Sequence, residues 1–144
     1  MLELAAVPSD VVGCYGKPAA LDLLADNTTL SIRVAPDEIL LLGARGDLTF
    51  VESELARLDN GGIAVDLSPA FAVWALRGDD RAESFCRLSQ IPLPAPPATA
   101  QGLVAHVPTK VVIRADELLL LVPSVLSHHV HTRVLTACAD LVHA

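Results

Sequence analysis

Hydrophobic and polar positions along this chain follow two periods, and the switch between them outlines a fold. Residues 103–107 and 110–114 are short β-rich runs, and Pro108-Thr109 between them predicts a tight turn. Ala115-Asp116-Glu117 predicts a reversal into 118–122, an unbroken apolar run of the kind carried by a strand buried on both faces. Pro123-Ser124 ends that strand, with Ser124 placed to cap a helix. Leu126, Val130, Val134, Ala137 and Leu141, flanked by Leu135, Cys138 and Val142, then recur at helical spacing and predict one amphipathic helix over 124–142. Such a stripe must lie against a sheet, and the three preceding strands supply one.

The same alternation appears earlier in the chain. Residues 28–35 are β-rich, Pro36-Asp37-Glu38 reads as a turn, and 39–42 form an apolar return stopped by Gly43. The segments RVAPDEILLLG at 33–43 and VIRADELLLLV at 112–122 echo one another, which points to two related lobes. Before them, 2–7 reads as a strand, Pro8-Ser9-Asp10 as a turn, and Gly13 and Gly16 as brackets of a flexible segment around Cys14-Tyr15. A short helix is expected over 18–24. Asp47 is placed to cap a helix running to Leu58, with Phe50, Leu55 and Leu58 near its apolar face, Glu52, Glu54 and Arg57 mostly on its polar face and Asn60-Gly61-Gly62 after it. Strands are expected at 63–67 and 71–77 around Ser68-Pro69. Gly78-Asp79-Asp80 opens a helix over 81–89, and the proline-rich 91–98 reads as an extended surface crossover. The expected class is α+β: two small α/β-plait-like lobes with mainly antiparallel sheets, covered by helices 47–58, 80–89 and 124–142. Residues 1–144 form a single compact unit in this reading, with possible lobes 1–66 and 67–144.

Composition narrows the function classes. The chain has 144 residues, 52% of them apolar, yet no run approaches the roughly 18 apolar residues that a membrane helix needs. A net charge of −7 with no basic stripe, and aromatics at only 3%, argue against nucleic acid. The apolar excess instead points to a surface shared with a partner. Cys14, Cys86 and Cys138 are widely spaced and odd in number, so they read as buried thiols rather than a disulfide framework. With no secretory pattern, a cytoplasmic location is expected.

Candidate chemistry is sparse. His128 and His131 share a helix face at i and i+3 and could reach one metal, but neither they nor His129 find a visible third ligand, so a polar helix face is the plainer reading. His106 reads as a mid-strand histidine. The carboxylate pairs Asp37-Glu38 and Asp116-Glu117 sit in turns, where acids are usually solvated. Cys86 has Arg81 and Arg87 near it in sequence but no histidine placed to serve it, and reads as a buried structural thiol. The glycines at 43–46 and 61–62 lack phosphate-loop spacing, and Ser68 lacks a nucleophile-elbow frame. No catalytic, cofactor-binding or metal residue is assigned. Trp74, the lone tryptophan, together with Ile91, Pro92, Leu93 and Pro94 of the crossover, is expected to contact a partner.

The order of these pieces carries a resemblance. RVAPDEILLLG at 33–43, a helix, VDLS at 65–68, VWALRGDDR at 73–81, and then the closing hairpin and helix resemble the sarcosine oxidase gamma subunit family over about residues 28–142. The resemblance implies a small α+β subunit related to the folate-binding lobes of aminomethyltransferases, holding no cofactor of its own. Its implied partners are larger flavoprotein subunits carrying FAD, FMN, NAD and tetrahydrofolate, in a complex that oxidatively demethylates sarcosine or a related N-methyl amino acid. The sequence departs from that pattern at 87–94 and in a final helix without aromatics. Two other readings stand beside it: a stand-alone folate-binding-type module using Trp74, Arg77 and Tyr15, and a metal-binding or regulatory protein using the histidines.

Overall fold

The computed structural model describes residues 1–26, 30–43 and 48–142. Thr28, the expected strand start, and Asp47, the expected helix cap, lie outside them. The chain divides into two compact units: Ser9–Pro69, and Met1–Pro8 together with Ala70–Ala144. The first strand, β1 (Glu3–Ala6), therefore belongs with the C-terminal residues.

The Ser9–Pro69 unit runs β2 (Val11–Tyr15), α1 (Pro18–Asp26), β3 (Ser31–Ala35), β4 (Glu38–Leu42), α2 (Leu48–Leu58) and β5 (Ile63–Asp66). Its antiparallel sheet has the order β3-β4-β2-β5. This is a βαββαβ unit, with both helices on one face. Their apolar positions Leu21, Leu24, Val51 and Leu55 bury against Val12, Cys14, Ile39 and Leu41. The segment expected to be flexible around Cys14-Tyr15 is instead the central strand β2, with Val11, Val12 and Cys14 fully buried. Glycines suggested flexibility, but Gly13 is a packing requirement. A Cβ there would stand 2.7 Å from Leu67 Cδ1.

The other unit contains β6 (Phe71–Arg77), α3 (Arg81–Leu88), β7 (Ala98–Val104), β8 (Val107–Ile113), β9 (Glu117–Pro123), a 3-10 turn at Ser124–Leu126, α4 (Ser127–Ala137) and α5 (Ala139–Val142). Its antiparallel sheet has the order β1-β6-β9-β8-β7. Without β7 this is the order of the first unit, with β6, β8, β9 and β1 standing where β2, β3, β4 and β5 stand there. The difference is that the final strand, β1, comes from the start of the chain. Phe85 and Leu88 of α3, Val130 and Val134 of α4 and Cys138 just after it bury against Leu76, Val111, Ile113, Leu118, Leu120 and Val122. Residues 118–122 are buried throughout, as the unbroken apolar run predicted.

Four details differ from expectation. Phe50, expected with Leu55 and Leu58 on the apolar face of α2, is 45% exposed, because Val51, one turn before Leu55, takes that face. The β7–β8 turn is Ala105-His106, with φ of 52° and 66°, and not Pro108-Thr109. Both central residues of a two-residue hairpin of this hand need positive φ, which the sequence supplies without a glycine. Pro108 sits inside β8, before Lys110 where the pairing with β9 begins, so its missing N–H leaves no ladder bond open. The final helix is also not continuous, because α4 ends at Ala137 and a separate turn, α5, follows. Arg87 Nη1 donates to the Ala137 carbonyl at 3.1 Å and to Asp140 at 2.6 Å, holding that carbonyl outside the helical ladder. Leu126 and Leu135, expected on the buried stripe, are exposed.

Candidate functional site

Strand alternation sends Ala72, Trp74 and Leu76 of β6 to the helix-covered face, opposite Val122, Leu120 and Leu118 of β9. Trp74 is half-buried there. Its Nε1–H donates to Ser127 Oγ at 3.0 Å, and its ring stacks on His131 with centroids 5.0 Å apart and planes 16° from parallel. Ser127 and His131 lie at i and i+4 on α4, so one turn of helix holds both around the indole. His131 is thus committed to an aromatic stack, worth about 0.5–1.5 kcal/mol for aromatic pairs. His128 and His129 are exposed. Among the described residues no group of three His, Cys, Asp or Glu could hold a metal.

The crossover after α3 alternates inward and outward. Ile91 and Leu93 are half-buried, while Pro92 and Pro94 are exposed. Ile91 lies over β7, where a Cβ on Gly102 would meet its Cδ1 at 2.8 Å. Leu93 and Pro94 line a hollow of about 410 Å3 with Asp79, Arg81, Ile113 and Leu118. Trp74 is on the second strand of the sheet and Ile91 lies over the fifth, three spacings or about 14 Å away.

A larger hollow of about 710 Å3 lies where the end of α3 meets the β7–β8 turn, and both Cys86 and His106 line it. Ala105 N–H donates to the Leu88 carbonyl at 2.8 Å and Ser89 Oγ to the Leu103 carbonyl at 2.7 Å, which ties the turn to the helix. Sequence spacing placed no histidine near Cys86, because this proximity comes from the tertiary fold. Cys86 is exposed, not buried as expected, since Ser84, Phe85 and Leu88 take the inner face of α3. The other two thiols are buried. Burial pushes the Cys14 thiol up to about 11, and Cys138 lies 3.3 Å from Ser84 Oγ.

The charged residues are mostly structural. Glu117 is not a solvated turn acid: it opens β9, is 8% exposed, and its Oε1 lies 3.7 Å from Arg77, while Oε2 has no hydrogen-bond partner among the described residues. Arg77 also meets Glu3 at 3.2 Å. Asp59 accepts the Lys17 and Gly61 backbone N–H groups at 2.9 and 3.0 Å, which holds its carboxyl below the usual range. Of the three residues considered for a pterin, Trp74 and Arg77 project from opposite faces of β6 and do not line one pocket. No helix among the described residues is long and apolar enough to cross a membrane.

The class defined by this geometry is an α+β protein of two units, each an antiparallel sheet covered by helices: a four-stranded βαββαβ unit and a five-stranded one that borrows β1 from the start of the chain. No family model and no curated protein matches the chain. Among solved structures, it is similar to a chain of the heterotetrameric sarcosine oxidase from Corynebacterium sp. U-96, with a TM-score of 0.83 and 17% identity, covering 99% of this chain and 86% of that one. It is also similar to the glycine cleavage system aminomethyltransferase T from Bartonella henselae, with a TM-score of 0.63 and 14% identity, covering 93% of this chain and 45% of that one. The regulatory subunit of aspartate kinase from Thermus thermophilus shares the fold more loosely, with a TM-score of 0.55 and 11% identity, covering 95% and 97% of the two chains. At these identities the likeness establishes the fold.

Proposed function

We propose that this chain is a small, non-catalytic subunit of a sarcosine oxidase-like complex that oxidatively demethylates sarcosine or a related N-methyl amino acid. The observation that carries the reading is the match of 99% of the chain, at a TM-score of 0.83, to a chain of a heterotetrameric sarcosine oxidase. A second likeness, to an aminomethyltransferase over 93% of the chain at a TM-score of 0.63, accords with it. In this reading the larger flavoprotein subunits hold FAD, FMN, NAD and tetrahydrofolate, and this chain binds none of them. The divergence of Trp74 and Arg77 favours a subunit over a stand-alone folate module, because a pterin needs such groups around one pocket. The Trp74–His131 stack and the crossover residues Ile91, Pro92, Leu93 and Pro94 are its two proposed contact surfaces.

The test is co-expression with the larger subunits of a heterotetrameric sarcosine oxidase, followed by size-exclusion chromatography and sarcosine-dependent oxygen uptake. The chain is expected to co-elute with the larger subunits. Trp74→Ala should lower the retained chain about tenfold, as loss of an interface hot spot of about 1.4 kcal/mol or more would, with unchanged far-ultraviolet circular dichroism. Elution of the wild-type chain alone under all conditions would refute the reading.

A further inference from the structure

The outer edge of β5 is built differently from its counterpart in the other unit. Leu67 N–H donates to the Val11 carbonyl at 2.8 Å, which fixes the phase of the ladder: residues 63, 65 and 67 bond inward to β2. The N–H and C=O groups of Ala64 and Asp66 consequently point outward, and no described residue bonds them. At the equivalent edge of β1, the outward Leu2 N–H donates to the Leu141 carbonyl at 2.8 Å, so α5 begins to close that edge.

The side chains beside the open edge are apolar and in solvent. Ile63 is 60% exposed, Val65 39% and Tyr15 36%, all on the sheet face away from α1 and α2. Across Gly13, Leu67 Cδ1 and Tyr15 Cε2 stand 2.7 and 3.4 Å from where a Cβ would be, so the row closes into one strip. It amounts to an apolar patch of roughly a few hundred Å2, beside a strand with free backbone groups; such edges are usually blunted by charge or cover.

The ends of the strip are acidic. Asp37 and Glu38 stand at the Tyr15 end and Asp10 and Asp66 at the Val11 end, and none of the four has an ion-pair partner among the described residues. Lys17, the nearest cation in sequence, interacts with Asp59. Two copies pairing β5 antiparallel about Val65 would bring these acidic ends together, which disfavours self-association.

We infer that the edge of β5 is a docking site for an extended segment of a partner subunit, apolar at alternate positions and carrying Lys or Arg at both ends, which adds to the sheet as a fifth strand. This deepens the subunit reading and rests on it for the identity of the partner. Main-chain hydrogen bonds to Ala64 and Asp66 provide the pairing, the Ile63–Val65–Tyr15 strip selects apolar side chains, and the flanking carboxylates select basic ends.

Two measurements test it. The whole chain is titrated with the peptide KKVTVTVKK and followed by amide shifts. Saturable binding with shifts at Ala64 and Asp66 is expected, at least tenfold weaker for EEVTVTVEE and for Val65→Lys, whose exposed side chain lets the variant fold. No binding, or equal binding by Val65→Lys, overturns the inference. In the co-expressed complex, Val65→Lys is expected to elute away from the flavoprotein subunits; co-elution at the wild-type level overturns the docking site while the subunit reading stands. Peptide binding at β5 by a chain whose wild type never joins the flavoproteins leaves the docking site standing and removes the subunit reading.

Discussion

Two hairpins that share an Asp-Glu turn and a leucine-rich return, at 33–43 and 112–122, meet different neighbours. In each a glutamate opens the central return strand, Glu38 in β4 and Glu117 in β9. In each the last residue of the adjoining strand lies opposite, Tyr15 from β2 and Arg77 from β6. Glu38 is half-exposed and acts with burial on a phenol, while Glu117 is 8% exposed beside a guanidinium and leaves one oxygen unbonded among the described residues. The shared motif sets the turn and the central position of the return strand. The strand packed beside it sets what the acid touches, so local likeness in sequence is a guide to architecture and a poor one to side-chain contacts.

The equivalence is most severely tested in the cores. Leu41 in β4 and Leu120 in β9 occupy matching positions, three residues after the glutamate, and both are buried. Leu→Ala at either should cost about 2–5 kcal/mol in urea unfolding, and a loss below about 1 kcal/mol at one of them would break the correspondence. A smaller, asymmetric effect is expected at the glycines that follow β2 and β6. Gly78 has φ of +100°, and a Cβ there would stand 2.0 Å from the Met1 carbonyl oxygen; at Gly16 the obstacle is Asp59 Oδ2 at 2.9 Å, the end of a side chain. Gly78→Ala should cost about 2 kcal/mol or more, from left-handed strain and overpacking. Gly16→Ala should cost less in the same assay.

The smallest effect is in the ionisation of Tyr15, the only tyrosine. Burial first, then Glu38 by charge and hydrogen bonding, raise its phenol above the ordinary value. A raised folded value means that this contribution to stability is complete below the ordinary tyrosine pKa of about 10 and is lost as pH rises through the folded value. Glu38→Gln should lower the Tyr15 pKa without restoring the ordinary value, read as phenolate absorbance against pH. No shift on substitution would remove Glu38 from the account.

Much of the architecture was legible because it is periodic. The stripes of α2, α3 and α4 and the reversals at 36–38 and 115–117 follow from spacing and turn residues alone. What escaped was set by distant contacts. Gly13 reads as flexible until Leu67 is known to pack over it, and His106 reads as a strand residue until Ala105 is tied to Leu88. The break after Ala137 depends on Arg87, fifty residues earlier, taking its carbonyl. The same holds for the candidate site. Trp74 was legible as a lone aromatic, but not its stack on His131 or its separation from Ile91, since both depend on strand order. The open edge of β5 gave no sequence signal beyond the alternation of Ile63 and Val65.

The place of β1 has a consequence for how the chain emerges during synthesis. The Ser9–Pro69 unit is continuous in sequence, so all its strands are available once residue 69 is clear of the ribosome. The other unit is interrupted: β1 is made first and must wait for β6, the strand it pairs with, until about 65 further residues have been added. At roughly 5–20 residues per second that delay is several seconds. β1, translated ahead of the rest of its unit, is thus among the last parts of it to find a place, and the intervening unit has time to form while β1 is still unattached.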